Sequence, residues 1–228
     1  MIIKVRDIPF FKSIIRSMTN IEYLTFRTTN NKLIISSALI NIYYVEIDST
    51  LLEFSDYQVT DFSVNANLLK KILKFFKTQL IIRMNGSLEL CYESTKKNYD
   101  ISVPFIKTIK NELNEMGDVE TLFVVQPVDL NFLQNFKKTT YNCTDKLVVK
   151  QNIEGGAEEM EFDVDILKAS GVPFTCDNLW LGPTKSIRSF VENTVFMFNH
   201  SMLQVTFVFK KQKNCKFIVQ IPKLYEKD

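Results

Sequence analysis

The side chains best placed to do chemistry in this sequence are lysines and arginines that recur on amphipathic segments. Lys12 and Arg16 stand four apart, beside a stripe of Phe10, Ile14, Ile15 and Met18. Lys70, Lys71, Lys74 and Lys77 lie opposite Leu68, Leu69, Ile72, Leu73 and Phe76. Lys137 and Lys138 close a third segment, whose apolar positions are Leu130, Leu133 and Phe136. Lys185 and Arg188 are expected to be exposed on a fourth, with Ile187, Phe190 and Val191 buried. Apolar residues at this spacing predict helices with one buried face. One cationic helix face is ordinary in solvent. Four of them, with Asp129 and Glu192 as the main acids, suit phosphate oxygens, which are contacted without reading bases.

Other chemistries find little support. The sequence has no Gly-rich phosphate loop and no GxSxG. Its single histidine, His200, sits in Asn199-His200-Ser201, mirrored by Asn85-Gly86-Ser87, and so reads as a turn residue. Cys91, Cys143, Cys176 and Cys215 form no CxxC pair, so a zinc site is not expected and reduced thiols are. Cys91 and Cys215 fall on expected strands. Glu158, Glu159, Asp163 and Asp165 are acids that could approach a metal, but they follow the Gly155-Gly156 turn and suit a solvated hairpin. No metal, cofactor or catalytic residue is expected, and the chain is not read as an enzyme. Trp180, the only tryptophan, is read as core rather than as a contact anchor. The aromatics fall at core spacing, which argues against a stacking platform for single strands.

With 228 residues, 46% hydrophobic and 24% charged, the chain can bury an ample core. The net charge of +2 is low for a nucleic-acid binder, so the distribution of charge matters more than its sum. No apolar run approaches the ~20 residues of a membrane span, and no signal-peptide core or membrane partner is expected. Elements follow from pattern. A strand over 1–6 precedes a helix capped by Asp7 with Pro9 in its first turn. Strands are expected at 21–27, 32–37, 42–47, 51–57 and 62–66, with Asn30-Asn31 as a tight turn. Asn67 is expected to cap the lysine-rich helix, and further strands run from Gln79 to Pro104. A polar connector follows, and the cycle restarts with a strand from Glu120 to Gln126 and a helix from Pro127 to about Thr139. Strands at 147–150 and 160–164, a poorly patterned stretch to Gly182, a short helix opened by Pro183, and closing strands complete it. The chain thus repeats itself: Arg83 to Pro104 matches Met197 to Pro222 in pattern. The fold class is α+β, with two tandem domains at 1–105 and 119–228 and a connector at 106–118. Each domain has helices packed on antiparallel sheets.

Particular stretches resemble a known family. The run from Ser63 to Lys74 resembles the helix closing the first domain of the sliding clamp called proliferating cell nuclear antigen. Leu33 to Ile42, followed by Phe54 and Tyr57, is similar to that family's strand-and-turn region, and Ile221 to Asp228 to its C-terminal tail. The resemblance implies a ring-forming subunit, with helices lining a hole around duplex DNA and sheets outside. It implies a polymerase processivity factor, a homotrimer or alternatively a heterotrimer. Partners would be duplex DNA, a DNA polymerase and other replication or repair proteins, in the nucleus or a viral replication compartment. It also implies a peptide-docking pocket, for which Leu39, Ile40, Ile109, Leu113, Pro222 and Leu224 are the candidates. The chain departs from the pattern in a shorter connector, a shorter second half, and Ala38-Leu39 where the family has a histidine. These departures keep two alternatives open: a subunit of a heterotrimeric DNA-damage checkpoint clamp, or a viral processivity factor with altered assembly.

Overall fold

The computed structural model describes residues 1–18, 21–29, 32–55, 60–94, 96–106, 108–109, 112–153, 156–178 and 180–224. The expected turn at Asn30-Asn31, Tyr57, Gly155 and the tail beyond Leu224 lie outside them.

Asp7 ends the opening strand β1 (Ile2–Val5) and starts α1 (Ile8–Ser17). Its Oδ1 accepts the Phe10 amide at 2.9 Å, while Pro9 stands where a helix needs no N–H donor. The chain then runs β2 (Tyr23–Thr29), β3 (Lys32–Ala38), β4 (Ile42–Ile47), β5 (Leu52–Ser55) and β6 (Asp61–Asn65). α2 (Ala66–Leu73) follows, then β7 (Ile81–Met84), β8 (Ser87–Glu93) and β9 (Asn98–Pro104). The second half repeats this order. β10 (Thr121–Val125) leads into α3 (Pro127–Leu133), then β11 (Lys138–Cys143), β12 (Leu147–Ile153), β13 (Gly156–Phe162), β14 (Asp165–Lys168) and β15 (Phe174–Asp177). α4 (Leu181–Thr184) and a 3-10 turn at Arg188–Phe190 precede β16 (Val191–Phe198), β17 (Met202–Phe209) and β18 (Lys216–Pro222).

The repeat extends to the sheets. In the first half the strand orders are β5-β1-β7-β8-β9 and β4-β3-β2-β6; in the second they are β14-β10-β16-β17-β18 and β13-β12-β11-β15. One junction breaks the independence of the halves. β18 pairs antiparallel with β4, Phe217 opposite Val45 and Val219 opposite Tyr43, which fuses two of these sheets into one of nine strands. Among the described residues the counterpart strands, β9 and β13, each end a sheet with an open edge. Alternate residues of a strand face opposite sides, and the inward rows are filled with Val, Ile and Phe. Phe207, Phe217 and Val219 are buried at the junction, and Phe207 and Phe217 stack at 5.3 Å. Trp180 is also buried, between Phe196 and Phe207.

Several local expectations need correction. Asn65, not Asn67, caps α2: its Oδ1 accepts the Leu68 amide at 2.9 Å, because the chain leaves β6 and turns at Ala66. α3 stops at Leu133 rather than near Thr139. Lys137 lies in the following turn, and Lys138 opens β11, where a Thr-Thr-Tyr run favours the extended chain. Leu68 is 37% exposed and not part of the buried face. Cys215 precedes β18 in a turn instead of lying on a strand. No helix among the described residues is long and apolar enough to cross a membrane.

The four cysteines are unpaired and buried. Burial pushes the thiols of Cys91 and Cys215 up to about 12 and raises those of Cys143 and Cys176. Raised folded values mean that the folded state holds protons the unfolded state releases. The stability contribution is complete below the unfolded value of ~8.5 and is lost as pH climbs toward the folded one. Denaturant midpoints should therefore fall progressively above pH ~8.5. A thiol reagent near neutral pH should label the native chain only after denaturant is added; rapid labelling of the native chain would contradict this burial.

Candidate nucleic-acid interface

The helices form one continuous layer. α1 packs against α2 on one side and α4 on the other. The hydroxyl of Ser186, just after α4, donates to the Ser13 carbonyl of α1 at 2.9 Å. Arg188 then ties this region to α3. Its guanidinium donates to Asn131 Oδ1 at 2.5 Å and Gln134 Oε1 at 3.2 Å, and to the Leu181 carbonyl at 2.8 Å. The resulting order is α2, α1, α4, α3.

Within this layer the cations divide by role. Arg16, Lys71, Lys74, Lys77, Lys137, Lys138 and Lys185 are exposed. Lys12 and Lys70 are only half-exposed and are used by the fold. The Lys70 ammonium donates to the Met18 carbonyl beyond α1, and the Lys12 ammonium to the Phe76 carbonyl beyond α2. Each helix thus supplies a cation to the other's C-terminal end, where carbonyls lack intrahelical partners and the dipole favours positive charge. Desolvation lowers the pKa of both lysines. For Lys12 the nearby charges of Arg16 and Lys77 lower it further, so these cations from two segments converge.

Arg188 overturns its sequence expectation. It is 7% exposed, held by three acceptors, and its pKa is lowered by desolvation. It is a strut between helices and presents no free charge to a phosphate. Lys138 faces Asp177 across the β11–β15 register rather than extending a helical stripe.

The candidate docking residues separate into two hollows flanking the turn after β3. Ile40 and Pro222 line one, of about 270 Å³, with Ile42, Met202 and Gln220. Leu39 and Ile109 line the other, of about 110 Å³, with Ile21 and Tyr23. Leu39 and Ile40 are 77% and 73% exposed, an unusual amount of bare apolar surface for adjacent residues. Leu113 and Leu224 line neither hollow. Leu113 is half-buried in the connector, and the Leu224 amide donates to the Thr175 carbonyl at 2.8 Å.

Sequence reading missed the residues that hold the connector. Gln220 accepts the Asn114 amide through Oε1 at 2.9 Å and donates through Nε2 to the Asn114 carbonyl at 2.8 Å, copying a strand's pairing with a side chain. Thr25 donates to the Ile109 carbonyl at 2.8 Å, and Ser63 accepts the Ile109 amide at 3.1 Å. The one available signal was Gln220 standing in an otherwise apolar run, Phe217 to Ile221, where a buried polar group needs partners.

No protein-family model and no curated protein sequence matches the chain. A solved structure does. The crystal structure of a PCNA2–PCNA3 complex from Sulfolobus tokodaii matches 99% of this chain and 100% of that one, with a TM-score of 0.84 at 14% identity. The chain has the sliding-clamp fold. That fold accounts for the doubled sheet plan and for the helix layer as one structural unit. The low identity marks a divergent sequence on the clamp architecture.

Proposed function

We propose that this chain is a subunit of a ring that encircles duplex DNA without sequence preference and serves as a platform for a DNA polymerase. The observation that carries the reading is one face. Helices α2, α1 and α4 stand side by side, and these helices with the turns that end them expose Arg16, Lys71, Lys74, Lys77 and Lys185. The acids of this layer are sparse, and Asp129 sits in the first turn of α3. Such cations contact phosphates as point charges, so they hold any duplex and allow it to slide. Ring closure follows from the sheets. The β4–β18 junction inside the chain has its counterpart in β9 of one subunit pairing with β13 of the next. A head-to-tail contact of this kind closes into a ring and covers the edges of β9 and β13. The hollows beside Leu39 and Ile40 are the sites proposed for peptides of polymerase or other replication and repair proteins. The proposed compartment is the nucleus or a viral replication compartment.

The test is association with duplexes of unrelated sequence, followed by fluorescence anisotropy across a salt series. Equal affinities and a slope of log K against log salt steeper than about −3 are expected, since each neutralised phosphate contributes about −0.9. A flat salt response, or affinity restricted to one sequence, would remove the proposed role.

A further inference from the structure

We infer that the open edge of β13 is built for a basic strand of a non-identical subunit and not for the β9 of a second copy. This rests on the ring reading above and concerns which chain closes the ring.

The internal β4–β18 junction gives the register. β4 and β13 occupy the same place in the two halves. Phe26 faces Ile35, which faces Val45; Tyr141 faces Val149, which faces Met160. Met160 therefore stands where Val45 does, Glu159 where Tyr44 does, and Glu158 where Tyr43 does. In the same way β9 stands for β18: Ser87 pairs with Pro104 as Met202 pairs with Pro222, so Ile101 stands for Val219 and Asp100 for Ile218.

A self-pairing of β9 with β13 can now be read residue by residue. Inside the chain, Tyr43 faces Val219, and both are buried. Between two copies, Glu158 would face Ile101, placing a carboxylate in the row that the internal junction fills with apolar side chains. Glu158 makes no ion pair among the described residues, so its charge would be buried uncompensated. On the outer face, where Tyr44 meets Ile218, Glu159 would meet Asp100. Like charges directly opposite on paired strands repel. Lys150, 2.7 Å from Glu159, and Arg83, 3.9 Å from Asp100, offset part of that repulsion, so the larger cost of self-pairing is the burial of the unpaired Glu158.

The surface beside β13 nonetheless expects a cover. At the internal junction α1 packs on α4. Its counterpart packs α3 on a neighbour's second helix. Counted from the caps Asp7 and Gln126, Phe132 holds the place of Ser13, the residue that Ser186 bonds across the internal contact. Phe132 is 48% exposed and Val128 59%, bare apolar side chains at the expected contact. The edge thus combines apolar surface that favours association with acids that reject this chain's own β9. The fitting occupant is an edge strand of a different subunit of similar plan, carrying Lys or Arg opposite Glu158 and Glu159.

Light scattering tests this on the full chain. Wild type should keep the single-chain mass of 26.6 kDa at micromolar concentration. Asp100→Lys makes β9 itself a basic stand-in strand, and Glu158→Val restores an apolar row. Each substitution should raise self-association, and the double variant should assemble into multiples of the single mass. A wild type that closes into a multi-copy ring alone overturns the inference. So does a double variant that stays single while its circular dichroism and melting match wild type. The salt series on duplex DNA, run on the same samples, separates the two readings. A self-closing wild type with steep salt dependence leaves the clamp reading standing, and assembled rings with no salt-sensitive DNA binding would overturn that reading instead.

Discussion

Alanine at Lys71, Lys74 and Lys77 together should weaken association with duplex DNA and make its salt slope shallower by roughly 3 per subunit, at about 0.9 for each lost phosphate contact. All three are exposed on or just beyond α2, and alanine suits a helix, so the fold should be untouched. Lys70 belongs to a different experiment. Its ammonium closes the end of α1 at the Met18 carbonyl. Lys70→Ala should lower stability by about 1–2 kcal/mol, as expected for a charge-assisted bond at a partly solvated site, and should change the salt slope less than any of the three. Anisotropy at several salt concentrations, with denaturant melts of the same proteins, reads both effects. An unchanged slope in the triple variant would mean that α2 does not face the duplex.

The largest stability effect is expected at Arg188. Arg188→Leu removes three hydrogen bonds and leaves Asn131, Gln134 and the Leu181 carbonyl short of a donor. The cost should be about 3 kcal/mol, because orphaned polar groups lose water without gaining a partner. For a chain of this size that lowers Tm by roughly 6–12 °C. Arg188→Lys should recover only part of it, since an ammonium cannot reach three acceptors spread around a planar fork. DNA affinity per folded molecule should be unchanged. A variant with wild-type stability and weakened DNA binding would restore Arg188 to the phosphate-contacting set.

The contrast between Arg188 and Lys71 shows where sequence reading works. Periodicity identified the apolar faces of α1 and α2 because those faces are set by the helical repeat, and Phe10, Ile14, Ile15, Leu69, Ile72 and Leu73 are indeed buried. Periodicity says nothing about what a long cationic side chain does once helices meet. Lys12, Lys70 and Arg188 each turn toward a carbonyl or amide contributed by another helix, a contact set by tertiary packing. The duplication was legible because its closing hairpins repeat Asn-x-Ser turns and end at proline in both halves. The end of α3 was misread because strand propensity at Thr139 and Thr140 outweighed the helical pattern that precedes them. The junction of β4 with β18 could not be read at all. It joins strands about 170 positions apart, and no local spacing encodes such a pairing.

That junction also governs how the polypeptide can be made. β18 leaves a ribosome about 170 residues after β4, with which it pairs. Until β18 arrives, Tyr43 and Val45 present an apolar row beside unpaired backbone donors and acceptors. Such an edge invites pairing with a neighbouring nascent chain. Synthesis of this protein therefore carries a waiting period in which the sheet holding β4 is built but unsealed, and β18 acts as its latch.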